Sequence, residues 1–177
     1  MYMKSKDIAI VGILHAIGAI LRYFLAMLHT PLTPNMIIAF YCLAIILIHP
    51  KVYEALGIGI VAGLLSMLIS SSMFPPANLV SEPLGALVCF ALYAAMKTRT
   101  QFAPTITTFI ATLVSGFTFA AIAIIAIGAT YLAKYNGDMM AFIAVFVPIV
   151  VITAVFNAVI VQVLYIPSSR VLMRGQE

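Results

Sequence analysis

The sequence predicts an all-α integral membrane protein, and three observations support that prediction. Hydrophobic residues make up 64% of the 177 residues and charged residues only 8%, whereas soluble domains carry about 25% charged residues. The mean hydropathy is +1.19. Runs without a charged residue cover 55–81, 100–133 and 139–169, and each exceeds the roughly 20 apolar residues that a membrane-crossing helix needs. The chain lacks the charge to cover a water-facing surface, so we expect one integral membrane domain over residues 1–177.

Prolines and polar clusters divide this domain into six predicted helices. The first helix ends before HTPLTPN, the triplet HPK separates the second from the third, and FPPANLVSEP separates the third from the fourth. Further along, KTRTQ ends the fourth helix and KYNGD turns the chain from the fifth into the sixth. Clusters of Pro, Gly, Asn and Ser mark turns in this way. The predicted helices cover about 8–28, 36–48, 52–72, 79–96, 104–133 and 141–168.

The distribution of basic residues predicts that both termini are cytoplasmic. Cytoplasmic loops of membrane proteins carry an excess of Lys and Arg, and with six spans seven basic residues fall on one side against Lys134 on the other. An odd number of spans would scatter these charges over both sides. The basic character therefore reflects topology in the cell membrane, and nucleic-acid binding is not indicated. The seven residues are Lys4, Lys6, Lys51, Lys97, Arg99, Arg170 and Arg174.

Motifs for catalysis or nucleotide hydrolysis are absent from the sequence. It contains no G-x-x-x-x-G-K-[ST] phosphate loop, no H-E-x-x-H or C-x-x-C pattern and no G-x-S-x-G motif. Cys42 and Cys89 fit small buried residues of the predicted helices. We therefore expect no enzyme, no cofactor and no metal site. If the protein moves a solute uphill, the energy comes from ATP hydrolysis in another subunit or from an ion gradient.

Arg22 is a charged residue inside the first predicted helix. A charge within a span is costly and indicates function, but an arginine towards one end can also extend to the lipid headgroups. His15 and His29 lie seven residues on either side of it, so the three form one slowly drifting stripe. Such a stripe indicates that this edge of the helix faces protein or water, which favours an anion-binding role for Arg22.

A neighbouring face of the first helix consists of small residues. Ala9, Gly12, Ala16 and Ala19 are three or four residues apart, a spacing that lets another helix backbone come close. Two interpretations stay open for this face. It packs inside the bundle, or it docks to a different membrane protein.

Four stretches of the chain resemble one family of transporters. They are KSKDIAIVGILHAIGAIL, TPNMIIAFYCLAIILIHPKVYEALGIGIVAGLLS, PPANLVSEPLGAL and VPIVVITAVFNAVI. Each stretch is loose and apolar, so their joint order over nearly the whole chain carries the resemblance. The family is the tryptophan transporter (TrpP) family, which is similar to the substrate-binding S-components of energy-coupling factor (ECF) transporters.

The resemblance implies an S-component-like bundle of six transmembrane helices with both termini inside. It also implies an outward-facing pocket, built from the last three helices and covered by loops 29–35 and 73–82 and the turn 134–140. In S-components a small-xxx-small pattern on the first helix docks to the transmembrane coupling subunit. Gly12 and Ala16 match that pattern, with Gly replacing the more usual Ala. Two cytoplasmic ATPase subunits would then supply the energy, in keeping with the missing phosphate loop.

The chemistry of tryptophan selects candidate residues. The amino acid needs an acceptor for its ammonium, donors for its carboxylate and an apolar or aromatic slot for its indole. Glu82, in the polar loop and the first turn of the fourth helix, is the candidate acceptor, although an acid there can also simply stabilise the helix dipole. Arg22 and the N–H groups that begin the fourth helix are candidate donors. Asn157 binds either the ligand or a neighbouring helix, and Asn35 suits a cap of the second helix. The candidate substrate-binding residues are Glu82, Arg22, Asn78, Asn157, Tyr41, Phe74 and Tyr131, with Tyr23, Phe40, Phe119 and Phe146 as further aromatic candidates.

Three functions from different classes are then compared. The first is a membrane protein that binds L-tryptophan for uptake, or another small aromatic or vitamin-like solute, with a separate ATP-hydrolysing coupling module as its partner. The second is an ion-coupled secondary carrier, which commonly keeps carboxylates at membrane depth, whereas no acid is predicted in the middle of a span here. The third is an intramembrane enzyme, for which the sequence offers no nucleophile and base. We expect the first.

Overall fold

The computed structural model describes residues 3–27 and 34–174, without the side chains of Tyr131 and residues 171–174. The described residues form six α-helices and a short 3-10 helix at Pro75–Ala77, so the prediction of an all-helical chain with six helices is confirmed. His29 and most of the predicted loop 29–35 lie outside the described residues. The helices are α1 (Ser5–Met27), α2 (Ile37–Ile48), α3 (Val52–Ile69), α4 (Asn78–Met96), α5 (Ala103–Ala133) and α6 (Met139–Arg174).

Helix α2 differs from the other five in length. Within the described ranges, five helices are long and apolar enough to cross a membrane, but α2 has only 12 residues. At 1.5 Å per residue it is about 18 Å long, which is well short of the roughly 30 Å hydrocarbon core of a bilayer. The sequence predicted six membrane-crossing helices, whereas the described part of the chain contains five of that length and one shorter helix.

The short helix α2 forms the core of the bundle. Its residues 37–46 are all buried, and it contacts each of the other five helices. A helix that is hydrophobic on every side is stable only when other elements surround it. In contrast, the remaining helices keep large apolar side chains such as Phe24 and Ile125 exposed, as expected of surfaces that face lipid.

Contacts between helix ends show that successive helices alternate in direction. The Met3 N–H donates to Glu54 Oε1 over 2.9 Å, which joins the starts of α1 and α3. The rings of His49 and Tyr93 lie 5.6 Å apart and join the ends of α2 and α4. The Tyr93 and Tyr165 hydroxyl oxygens are 3.4 Å apart, which brings the end of α6 to the same side. The basic residues that the sequence assigned to one side therefore share one end of the bundle, here called the basic end.

Two glycines of α3 bring it close to the start of α4. A Cβ added at Gly59 would lie 2.7 Å from the Cα of Pro83, and a Cβ at Gly63 would lie 2.8 Å from the carbonyl oxygen of Asn78. Only a residue without a side chain permits such an approach of two helix backbones. This contact fixes the first two turns of α4, which carry Glu82, against α3.

Candidate functional site

A cavity of about 140 Å³ lies among the helix ends opposite the basic end. One water molecule needs about 10–15 Å³ of such volume. The cavity therefore has room for a solute that occupies the space of about ten water molecules. All six helices or the turns beside them contribute to its wall. The lining residues are Arg22, Asn35, Ile38, Ser70, Ser71, Ser72, Met73, Asn78, Glu82, Thr112, Ser115, Gly116, Phe119, Lys134, Tyr135, Phe146, Ile149, Val150 and Thr153.

Glu82 lines this cavity as a buried carboxylate with two hydrogen-bond donors. It is 1% exposed; the Asn35 side-chain amide donates to Oε1, and the Ser115 hydroxyl donates to Oε2 over 3.2 Å. The sequence placed Glu82 in a polar loop and in the first turn of its helix, and that prediction is wrong. Because α4 begins at Asn78, Glu82 lies in the second turn, where its side chain points into the bundle rather than stabilising the helix start.

The shortness of α2 explains why Asn35 reaches Glu82. Since α2 does not extend to the far end of the bundle, its N-terminus lies at the depth of the cavity. The Asn35 side-chain oxygen accepts the N–H of Ile37, the first residue of α2, over 3.2 Å, while its amide nitrogen donates to Glu82. The partial positive charge of a helix N-terminus also favours a nearby carboxylate. Asn35 therefore links the start of α2 to Glu82.

Asn157 lies behind this link, outside the cavity wall. Its amide nitrogen donates to the backbone oxygen of Asn35 over 3.1 Å and to the Thr112 hydroxyl over 3.3 Å. Of the two roles that the sequence left open for Asn157, the geometry fits the contact with neighbouring elements. Asn78 does line the cavity, and its side chain donates to the Pro75 carbonyl over 2.8 Å.

Arg22 is the second charged group of the cavity wall. It is 5% exposed and lies on the buried face of α1 together with His15 and Gly18, so the expectation that this edge faces protein holds for His15 and Arg22. Extension of Arg22 to the headgroups does not occur. Within the described residues, Nε and Nη1 of Arg22 are buried without a hydrogen-bond partner. The guanidinium interacts electrostatically with Glu82, whose hydrogen bonds come from Asn35 and Ser115 instead.

Two of the aromatic candidates, Phe119 and Phe146, line the cavity. We call this part of the lining the aromatic wall. Phe146 stacks on Phe142 with ring centres 5.2 Å apart and planes inclined by 22°. Phe142 in turn meets the edge of Tyr135, which also lines the cavity. The stack fixes the orientation of the Phe146 ring.

The other aromatic candidates lie elsewhere. Phe74 packs against a buried apolar cluster that includes Phe142 and Phe146, but it does not line the cavity. Tyr41 is buried in the core, where its hydroxyl approaches Glu82 without meeting hydrogen-bond geometry. Phe40 is also a core residue, and Tyr23 is 55% exposed on α1. The side chain of Tyr131 lies outside the described part of the chain.

The small face of α1 is exposed rather than packed inside the bundle. Gly12 and Ala16 are both exposed, and a Cβ added at Gly12 would meet no atom within 4 Å. Of the two interpretations left open by the sequence, internal packing is therefore wrong for these two residues. The face is accessible to lipid or to another membrane protein.

Several residues of the cavity wall were not predicted from the sequence. Asn35 was interpreted only as a cap, and Thr112, Ser115 and Gly116 of α5 were not singled out. A signal for them exists, because Thr108, Thr112 and Ser115 repeat at helical spacing within an otherwise apolar helix. Such a stripe of hydroxyl groups indicates a helix face that is turned away from lipid.

Comparison with known proteins assigns the chain to a family. The sequence profile described as "Tryptophan transporter TrpP" matches residues 4–173. The chain belongs to the TrpP family. It is also 29% identical to a Bacillus subtilis (strain 168) protein named "Probable tryptophan transport protein", over 98% of this chain and 96% of that protein. No solved structure matches the chain. The TrpP family consists of transporters rather than enzymes, and this member is a multi-pass integral membrane protein of the cell membrane.

Proposed function

We propose that this protein binds L-tryptophan in the cavity and takes part in its uptake across the cell membrane. Family membership and the name of the Bacillus subtilis relative support the substrate. One structural observation carries the proposal: Glu82 and Arg22 are both buried, both line the same cavity, and two nitrogens of Arg22 have no hydrogen-bond partner among the residues that the structure describes. Burying a charge without compensation is costly, and the carboxylate and ammonium of an amino acid would complement both groups.

In this proposal Glu82 accepts the substrate ammonium and Arg22 binds its carboxylate. The Glu82 oxygens can accept further hydrogen bonds beside those from Asn35 and Ser115, because an ionised carboxylate offers about four acceptor positions. Arg22 presents a planar guanidinium, whose donors match a carboxylate in pairs. The two charges of a zwitterion would then lie between the two charges of the site.

The remaining wall suits an indole ring. Phe119, Phe146 and Ile38 supply apolar and aromatic surface. The ring N–H needs one acceptor, and the Thr153 hydroxyl is suitable. It donates its own hydrogen to the Ile149 carbonyl over 2.7 Å, which leaves the oxygen free to accept. An aromatic amino acid therefore fits the site better than a small polar one.

Three ligands and two variants test these roles. The ligands are L-tryptophan, tryptamine, which lacks the carboxylate, and indole-3-propionate, which lacks the amino group. Glu82→Gln should weaken binding of L-tryptophan and tryptamine but spare indole-3-propionate, whereas Arg22→Gln should weaken L-tryptophan and indole-3-propionate but spare tryptamine. A hydrogen bond to a charged group contributes about 1.5–3 kcal/mol, so each loss should be roughly ten- to over a hundredfold.

Glu54→Gln is the matched control, because Glu54 is an acid at the basic end, in the first turn of α3 and away from the cavity. Its affinities should equal those of the wild type. Affinities should be measured on purified protein in detergent, with the melting temperature recorded for each variant. An equal loss for all three ligands, or a loss that follows only the melting temperature, would remove Glu82 and Arg22 from the binding site.

We further propose that uptake is energised by a separate ATP-hydrolysing module of the ECF type, with this chain as the S-component. The missing phosphate loop and the exposed small face of α1 support this coupling. The burial of Glu82 favours a second candidate, an ion-coupled carrier, since such carriers keep carboxylates at membrane depth. Liposomes with the purified protein alone separate the two: binding without accumulation supports the coupled form, and uphill uptake driven by a proton or sodium gradient supports the carrier.

Docking through α1 has its own test. Gly12→Leu and Ala16→Leu add bulk to the exposed face, so transport in cells should fall while affinity for L-tryptophan stays at the wild-type value. Gly57→Leu is the matched control, because Gly57 is likewise an exposed helical glycine whose added Cβ would meet no atom within 4 Å. If Gly57→Leu lowers transport as much as Gly12→Leu, the effect comes from bulk at the lipid surface and docking through α1 is refuted.

A further inference from the structure

Gly116 of α5 and Val150 of α6 meet where both helices line the cavity. A Cβ added at Gly116 would lie 2.8 Å and 3.2 Å from the two γ-methyl groups of Val150. Contacts under 3.0 Å are not tolerated, so one of the two side chains or helices would have to move. Val is branched at Cβ and stiff at χ1, and Val150 is itself buried. The γ-methyl groups of Val150 therefore lie against α5 only because Gly116 has no side chain.

The aromatic wall begins one helical turn from this contact on each helix. Phe119 follows Gly116 by three residues and Phe146 precedes Val150 by four, which places each ring on the same helix face as its neighbour. All four residues line the cavity. A Cβ at Gly116 would push the γ-methyl groups of Val150 away from α5 and into the cavity, which would narrow the cavity beside the aromatic wall.

We propose that Gly116 and Val150 together set the width of the cavity at the aromatic wall and so select substrates by the size of their ring. This inference rests on the proposed function, because it concerns the same site. The absence of a side chain at Gly116 lets the γ-methyl groups of Val150 lie against α5 rather than in the cavity, which leaves room for a two-ring side chain. The γ-methyl groups of Val150 close the cavity to larger ones. Ring size is thereby selected separately from the two charges, which Glu82 and Arg22 recognise.

The test uses Gly116→Ala, Val150→Ala and the double variant, with L-phenylalanine, L-tryptophan and 5-methyl-L-tryptophan as ligands of increasing ring size. A single methyl group in an apolar pocket changes binding by roughly ten- to two-hundredfold. Gly116→Ala should therefore lower the affinity for L-tryptophan by about that factor. It should lower the affinity for 5-methyl-L-tryptophan by more and that for L-phenylalanine by less. Val150→Ala should raise the affinity for 5-methyl-L-tryptophan relative to the affinity for L-tryptophan. The double variant should recover L-tryptophan binding, because Val150→Ala removes both methyl groups that the new Cβ would strike.

Gly128→Ala is the control farther along α5, beyond the kink at Ile127, since its Cβ would make an ordinary 3.6 Å contact with Ile124. It should leave all three affinities unchanged. If Gly116→Ala does not fold, as judged by its melting temperature, Val150→Ala alone and the double variant still decide the matter through the rank order of the ligands.

Equal losses for the three ligands, or a double variant no better than Gly116→Ala, would overturn the inference. A failure of the proposed function can be told apart from a failure of this inference, because it would appear in the ligand affinities of the wild-type protein. A wild-type protein that prefers L-phenylalanine to L-tryptophan contradicts the substrate, yet the pair is still supported if Val150→Ala shifts the preference towards larger rings. A wild type that binds none of the three ligands overturns both.

Discussion

Tyr41 and Gly85 offer a sharp test of the packing beside the site. Tyr41 is 0% exposed, and within the described residues its hydroxyl has no hydrogen-bond partner. The hydroxyl rests against Gly85 of α4, where an added Cβ would collide with it and would lie 3.1 Å from the Cβ of Ser115. Gly85→Ala therefore forces the Tyr41 ring or α4 to move, next to the serine that holds Glu82.

The magnitudes follow from these contacts. Overpacking a core by one methyl group costs about 1–3 kcal/mol, and we expect Gly85→Ala to lower the free energy of unfolding by that amount. Tyr41→Phe removes a buried hydroxyl that approaches Glu82 without meeting hydrogen-bond geometry. Burying a hydroxyl without a hydrogen bond costs about 1–3 kcal/mol, so this variant should leave stability unchanged or raise it. The double variant should recover most of the loss, because the atom that the new methyl group strikes is gone.

Thermal melting in detergent and L-tryptophan affinity should be measured on all three variants. Tyr41→Phe should bind L-tryptophan as the wild type does, since Tyr41 does not line the cavity. A double variant that melts as low as Gly85→Ala would refute the proposed collision. A loss of affinity in Tyr41→Phe at unchanged stability would instead return Tyr41 to the binding site, where the sequence had placed it.

Three further variants and one control variant probe the supporting structure. Asn157→Leu removes both hydrogen bonds of that amide, including the one to Asn35. It should lower the free energy of unfolding by about 1–3 kcal/mol and weaken L-tryptophan binding. Melting curves and affinity measurements test the two effects. Gly59→Ala should lower the free energy of unfolding by about 1–3 kcal/mol, because its Cβ strikes the backbone of α4. Its control is Gly57→Ala, whose Cβ meets no atom within 4 Å and which should be neutral or stabilising in the same melting assay. His49 has a φ of 50°, a left-handed conformation that glycine adopts without strain. His49→Gly should therefore raise the free energy of unfolding by up to about 1 kcal/mol. Because burial and the charge of Lys97 hold the pKa of His49 below 6.5, stability should fall as the pH drops below that value, and melting curves of His49→Gly should lack this part of the pH dependence.

The number of helices could be predicted because the signals that divide them are local. Prolines and charged turns interrupt the apolar runs, and neither can lie inside a span at low cost. The bounds predicted for α2, about 36–48, already made it short, but its burial at the centre of the bundle was not predicted. An apolar helix looks alike in sequence whether lipid or other helices surround it, and only the 12-residue length of α2 could have indicated burial.

The charged residues of the site were found for a similar reason. Arg22 and Glu82 are rare charges in apolar surroundings, so each one indicates function by its presence. Asn35, Ser115 and Gly116 carry no such signal, because small and weakly polar residues are common inside membrane helices, where they serve packing. Which of them line a cavity depends on how the helices are rotated, and no single helix determines that rotation.

The position of Glu82 shows how a small error in a helix boundary changes the interpretation of a residue. The sequence placed the start of α4 at about residue 79, and as a first-turn acid Glu82 had two possible roles, stabilising the helix start or accepting the substrate ammonium. The helix begins only one residue earlier, at Asn78, yet Glu82 is then a second-turn residue, too far into the helix to serve its free N–H groups. Its backbone is held against Gly59 of α3, whose added Cβ would lie 3.2 Å from the Glu82 carbonyl oxygen. With its backbone fixed on that side, the carboxylate extends to the opposite side, where Asn35 and Ser115 donate to it. Helix-start stabilisation cannot account for a carboxylate in that position, which supports the proposed role of Glu82 in binding the substrate.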